Sequence, residues 1–272
     1  MKTKISTPDV PSLEQQQYVK KIHRNHLLIR IYQILLFAGF LTLWEVSARQ
    51  HWINDFIFCC PSKLAQTLIT MTSDGSLLHH IGITLYETLI GFVIVIIGSL
   101  LIATLFWWNE TLSRVLEPYL VILNALPKSA LAPVLIVWLG ANKTTIIVCA
   151  CSVAIFGSIL NIYTGFTNVD SDKVKLIETL HGNRFQCLRL VVLPSNVPNI
   201  LSIMKVNIGL CLVGVVIGEF LAAREGLGYL IIYGSQTFKM SHVLLSILIL
   251  CVIAMLLYLI LQQLEKKLIE YF

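Results

Sequence analysis

Charge is what this chain has least of. Of its 272 residues only 13% are Asp, Glu, Lys or Arg, against 56% apolar, whereas an average soluble domain is about one quarter charged. A globular protein of this length needs a charged surface and exposes far less apolar area than this composition supplies. The deficit excludes a disordered, collagen-like or nucleic-acid-coating chain and argues against a soluble enzyme. The seven cysteines, at 59, 60, 149, 151, 187, 211 and 251, include no pair with zinc-site spacing. Most of them lie in apolar runs and read as buried structural thiols. Residues 1–25 carry no apolar core and no small-residue cleavage site, so they read as a polar tail and not as a signal peptide. No internal repeat is visible, which leaves an inverted-repeat transporter unsupported. No nucleophile–base–orienter set is present either, so no catalytic residue and no metal site is expected.

What the chain has in abundance is long apolar runs, at about 27–48, 82–108, 116–139, 144–166, 197–222 and 242–263. Each approaches or exceeds the roughly 20 residues that cross a hydrocarbon layer. The expected fold is an all-α polytopic membrane protein with about six transmembrane helices. A tail over 1–26 precedes one membrane domain over 27–272. Six crossings return both ends to one side. Twelve of the twenty Lys and Arg residues fall on that side and five on the other, which places both termini in the cytoplasm. The third run contains Pro127 and Pro133, which remove helix hydrogen bonds and predict a kink or break. Freed backbone groups in a membrane need cover, so Leu126 to Ala130 are expected to face the protein interior.

The longest cytoplasmic connection, about 167–194, opens with Asp170-Ser171-Asp172, which is N-cap chemistry. Val174, Ile177 and Leu180 follow at helical spacing with Lys173, Lys175 and Glu178 between them, ending near Gly182-Asn183. A short amphipathic helix is predicted there. An apolar stripe on a cytoplasmic loop points to docking on another protein or lying on lipid.

At this loop the sequence resembles a known family. His181-Gly182-Asn183-Arg184-Phe185-Gln186, followed by Val191-Val192-Leu193-Pro194, resembles the so-called EAA loop of membrane subunits of binding-protein-dependent ATP-binding-cassette importers. Thr84-Leu85 with Gly91-Phe92, Pro118 through Ala125-Leu126-Pro127 and Ala130-Leu131-Ala132-Pro133 to Trp138-Leu139-Gly140, and Gly218-Glu219-Phe220 with Gly226-Leu227-Gly228-Tyr229-Leu230-Ile231 fit the branch that carries nitrate, alkylsulfonates and taurine. Counted back from Pro194 without a gap, His181 stands where the family's glycine is usual. Lys175-Leu176-Ile177 then replace Glu-Ala-Ala.

The resemblance implies a coupling helix that docks on a cytoplasmic ATPase, with Val174, Lys175, Ile177, Glu178, Leu180, His181, Gly182 and Arg184 as the docking residues. It also implies alternating access driven by ATP on the partner chains. This chain would then perform no bond chemistry and bind no cofactor, ATP and Mg belonging to the partner. An extracytoplasmic solute-binding protein, membrane lipid and a second copy of the chain are the other implied partners, and no nucleic acid. The place is the cytoplasmic (inner) cell membrane, and the cargo a small sulfonate-, nitrate- or taurine-like anion, with a thiamine-precursor-like solute as the alternative. A secondary transporter or channel without an ATPase is the competing class.

Ionisable and polar groups inside spans mark candidate pathway positions, and Lys128, Lys205, Asn207 and Glu219 are the four. Glu45 and Glu87 read as interfacial. Gly140-Ala141-Asn142-Lys143-Thr144-Thr145 lacks phosphate-loop spacing and reads as a tight turn. Gly226-x-Gly228 reads as a turn or re-entrant segment on the outer side. Gly209, Gly214 and Gly218 offer a close-packing face or a dimer seam.

Overall fold

Every regular element among the described residues is helical. The computed structural model describes residues 13–50, 52 and 59–269, so residues 1–12 of the expected tail lie outside it. From Leu13 onward the tail is helical and continuous with the first span in α1 (Leu13–Arg49). The chain divides into a unit of residues 1–63 and a unit of residues 64–272.

In the first unit, Glu45 accepts from Arg49 Nε at 2.7 Å, from the Ser62 amide at 3.1 Å and from Ser62 Oγ at 2.9 Å. Its carboxylate thus satisfies an N–H in the opening turn of α2 (Pro61–Ser73), where a helix has donors without partners.

The second unit is built around α3 (Ser76–Trp108), α6 (Lys143–Thr167) and α9 (Leu193–Ala222), with α6 between the other two. Glycine makes this closeness possible. A Cβ on Gly91 of α3 would stand 3.1 Å from Ala150 Cβ, one on Gly214 would stand 2.6 Å from Ala150 Cα, and one on Gly218 would stand 3.0 Å from Ile146 Cα. Gly214 and Gly218 therefore serve packing within the chain, while Gly209 faces open space. Polar bonds reinforce the seam, with Ser158 Oγ of α6 taking Asn207 Nδ2 of α9 at 2.8 Å and meeting Ser99 Oγ of α3 at 2.9 Å. Interhelical bonds of this kind each stabilise a membrane bundle by about 0.6–2 kcal/mol.

The third apolar run is a broken span. α4 (Glu110–Ala125) and α5 (Lys128–Leu139) meet at a bend of 96°. The break falls at Leu126-Pro127, whereas Pro133 sits inside α5 without ending it. Leu126, Pro127, Ser129 and Ala130 are exposed on the chain, which corrects the expectation that they face its interior. The bend supplies its own partners: the Lys128 ammonium donates to the Asn124 carbonyl, and Ala130 N donates to Pro127 O at 3.0 Å. Among the described residues five helices are long and apolar enough to cross a membrane, or six with the bent pair counted as one span.

The remaining elements are α7 (Ser171–Thr179), the one-turn α8 (Arg184–Cys187), a π turn over Leu188–Val192, α10 (Leu227–Gln236) and α11 (Met240–Ile269). α10 and α11 pack on α9 and on each other.

Candidate functional site

The connection between α6 and α9 folds as its sequence predicts. Asp170 caps α7 by accepting from the Asp172 amide at 2.9 Å. At the far end Gly182 N donates to Ile177 O at 2.8 Å and His181 N donates to Glu178 O at 2.9 Å, the paired bonds of a Schellman C-cap. The left-handed position of that cap is His181, at φ 58°, so His181 occupies the backbone conformation that glycine usually supplies. Gly182 has a separate reason to lack a side chain, since a Cβ there would press on Ile177. Asn183 and Gln186 then cap α8 reciprocally, each accepting from the other's amide at 2.8 Å. Arg184 reaches back to the Trp108 carbonyl at the end of α3, 2.8 Å away.

The apolar stripe of α7 faces differently from the sequence expectation. Val174 and Ile177 are half-buried against a cluster that includes Ile162, Phe166, Leu188 and Ile203, so they hold the loop to its own chain. The apolar side chains turned outward are Leu176, Leu180 and Phe185, at 59%, 71% and 56% exposure. Lys175, Glu178, His181 and Arg184 are exposed around them.

A second constellation lies at the other end of α9. Glu219 is 1% exposed. Its Oε1 accepts from Thr84 Oγ1 of α3 at 2.7 Å, and its Oε2 accepts from the Gly228 amide at 2.6 Å. The same Thr84 hydroxyl accepts from Leu227 N at 2.9 Å, and His80 Nδ1 accepts from Gly226 N at 2.9 Å. The first amides of α10 thus converge on one carboxylate and its two supports, where unpaired N–H groups and the helix dipole favour negative charge. Gly226, at φ 104°, and Gly228 are glycines because a Cβ at either would collide with the Glu219 carboxylate. The Gly226-x-Gly228 motif is a carboxylate cradle, and the whole assembly is a latch joining α3, α9 and α10.

Three of the four candidate pathway residues are committed to bonds between helices. Glu219 is in the latch, Asn207 is buried on Ser158, and Lys205 Nζ lies 2.7 Å from Glu265 Oε2 of α11 with both side chains largely buried. Lys128 closes the bend between α4 and α5. Glu87 corrects the interfacial reading outright, being 0% exposed. The cause is the start of α3, which begins at Ser76 and not near 82. Glu87 therefore sits three turns into the helix, on the face of Thr84 that meets α9. Sequence reasoning passed over Thr84 and His80 as supports because their partners lie more than 130 positions away. Among the described residues no three His, Cys, Asp or Glu side chains converge as metal ligands do.

Comparison with known proteins places this geometry. The family described as binding-protein-dependent transport system inner membrane component matches residues 82–270. A probable ABC transporter permease protein of Haemophilus influenzae is 30% identical over 231 residues, 85% of this chain and 94% of that one. A putative aliphatic sulfonates transport permease of Bacillus subtilis is 26% identical, covering 88% and 86% of the two chains. A formylaminopyrimidine transport permease of Halalkalibacterium halodurans is 27% identical, covering 87% and 94%. An inward-facing structure of the MetNI methionine ABC transporter shares the fold with a TM-score of 0.63 at 15% identity, covering 72% of this chain and 97% of that one. The chain is a multi-pass membrane protein, and it belongs to the family of binding-protein-dependent transport system inner membrane components, the permease subunits of ABC importers.

Proposed function

We propose that this chain, as a homodimer, forms the translocation pathway of an ATP-driven importer and moves a small solute by alternating access. Two ATPase subunits that carry the ATP and Mg dock on α7 and α8 from the cytoplasm, and an extracytoplasmic binding protein delivers the solute. The observation that carries this reading is the bare triad Leu176, Leu180 and Phe185. It stands on a loop held to its own chain by Val174, Ile177 and Arg184. A few apolar anchors with charges at the rim suit a groove on a partner, and a two-state bundle is biased only by something that binds its states differently. The latch at Glu219 is the element such a bias acts on at the far end.

A sulfonate-like anion is the cargo that the relatives favour, because one relative is named for aliphatic sulfonates. A formylaminopyrimidine-like solute is the alternative, on the name of another. Both termini lie in the cytoplasm, by the excess of Lys and Arg on that side.

The test is the pair Leu176→Asp and Leu180→Asp, introduced into the chain co-expressed with an ATP-binding-cassette ATPase subunit from the same organism. Loss of ATPase co-purification and of uptake, with membrane insertion unchanged, is the expected result. Normal co-purification in the double variant overturns the docking assignment. Uptake that persists without any ATPase assigns the chain to secondary transport.

A further inference from the structure

Two buried carboxyls meet inside the latch. Glu87 of α3 and Glu219 of α9 are neighbours within hydrogen-bonding reach of each other, and both lie out of solvent. No N–H or hydroxyl donor stands beside either oxygen of Glu87. The charged groups on the surrounding elements are engaged elsewhere or stand at a cavity wall. Glu225 lies 3.6 Å from His79 Nε2 and 3.9 Å from Lys143 Nζ, and His80 Nδ1 is taken up by the Gly226 amide. Lys143 and Arg224 line a cavity of about 360 Å³ that ends at Glu87 without exposing its oxygens. Ionised carboxylates are acceptors only, so contact between two of them is a bond only when one carries a hydrogen, and a dry site does not hold both ionised. The two surroundings differ. Glu219 accepts from Thr84 Oγ1 and from the Gly228 amide at the positive end of α10, whereas Glu87 has no such donor. The hydrogen therefore belongs to Glu87, and Glu219 accepts it.

We propose that the latch closes around one proton, carried by Glu87 and donated to Glu219, and that parting α10 from α9 releases it, so that this end of the bundle is a pH-sensitive gate. When the latch parts, water reaches both carboxyls, each ionises as an exposed glutamate does, and the proton passes to water. The closed latch thus binds one proton more than the open one. Acid tightens it and alkali loosens it, by up to about tenfold in the opening equilibrium per pH unit, until Glu87 ionises in place. Below neutrality His80 acts the other way, because an imidazolium has no lone pair for Gly226 N. The shared proton is independent of the importer reading; only the moment of its release rests on alternating access.

The experiment uses the full chain in maltoside micelles, which have no carbonyl of their own. At pH 7 exposed carboxyls, which titrate at about 4, are ionised, so infrared spectra should show the carbonyl stretch of one protonated acid. Glu87→Gln should remove that band. Hydrogen exchange at the Gly228 amide, corrected for the intrinsic base-catalysed rate, reads the latch between pH 7 and 9, above the range where His79 and His80 take on charge. Protection should fall at least roughly tenfold across that range in the unaltered chain, and change by less than about threefold in Glu87→Gln, whose amide donates to Glu219 at every pH. In the unaltered chain the band and the protection should be lost on the same titration, a coincidence that needs no variant to fold. Absence of the band at pH 7 overturns the proposal. So does a band that persists in Glu87→Gln, or protection in that variant that follows pH as the unaltered chain does. Normal ATPase co-purification with the Leu176 and Leu180 variant strikes the docking assignment alone and leaves band and protection as they are.

Discussion

Thr84→Val isolates the latch from everything else in the bundle. Valine keeps the shape of threonine, so the packing of α3 on α9 is retained while one hydroxyl disappears. Two bonds go with it, the 2.7 Å donation to Glu219 Oε1 and the 2.9 Å acceptance from Leu227 N. A hydrogen bond to a charged group contributes about 1.5–3 kcal/mol, and a buried N–H left unpaired costs about 1–3 kcal/mol. Some of the loss is recovered by small shifts, so about 3 kcal/mol is the reasonable sum, or about two decades in an opening equilibrium. Hydrogen exchange on the solubilised chain reads this directly at the amides of Leu227 and Gly228, which should exchange about 100-fold faster than in the unaltered protein. Thr88→Val is the control, since the Thr88 hydroxyl bonds only the Thr84 carbonyl of its own helix. Thr84→Ser, which keeps the hydroxyl, should restore most of the protection. If the two amides in Thr84→Val stay within about threefold of the unaltered chain, a span smaller than 1 kcal/mol, the latch does not hold α10 and its role at that end is refuted.

Other outcomes follow from the same geometry. His181→Gly should raise the thermal midpoint of the chain, relieving a left-handed strain of about 1 kcal/mol, whereas Gly182→Ala should lower it by pressing on Ile177. Gly214→Ala should destabilise the bundle by about 1–3 kcal/mol through overpacking, with Gly209→Ala neutral or better; detergent denaturation midpoints of both variants decide this. Lys205→Met alone should cost more stability than Lys205→Met with Glu265→Gln, because the single change strands a largely buried carboxylate. A double-mutant cycle with no coupling would sink the ion pair.

The spans, the break at Pro127 and the Asp170 cap were all legible in the sequence. Each depends on local chemistry: apolar run length, a missing N–H, or a side chain that bonds two residues on. What escaped was direction. The helical spacing of Val174, Ile177 and Leu180 defines a stripe but not which side of it the chain will keep, and the core around Phe166 claimed two of the three. Leu176, outside the stripe, became part of the exposed face. Glu87 was misplaced because Ser76 to Ile81 carry two histidines and look like a boundary, yet they form the first turns of α3. The Gly226-x-Gly228 motif announced a turn, and nothing adjacent to it announced that Glu219 would lie within it.

The π turn over Leu188–Val192 runs without a break into α9. The segment that bears Arg184 and Phe185 is therefore one end of a rod whose other end carries Glu219. The α9 part alone, Leu193–Ala222, is 30 residues and at 1.5 Å each about 45 Å long; with the turns from Arg184 the continuous stretch is 39 residues. Gly214 and Gly218 seat its far half on α6 backbone to backbone, while Pro198 removes a helix hydrogen bond nearer the loop. Under the alternating-access proposal, force on the docking loop would reach Glu219 along this one continuous element.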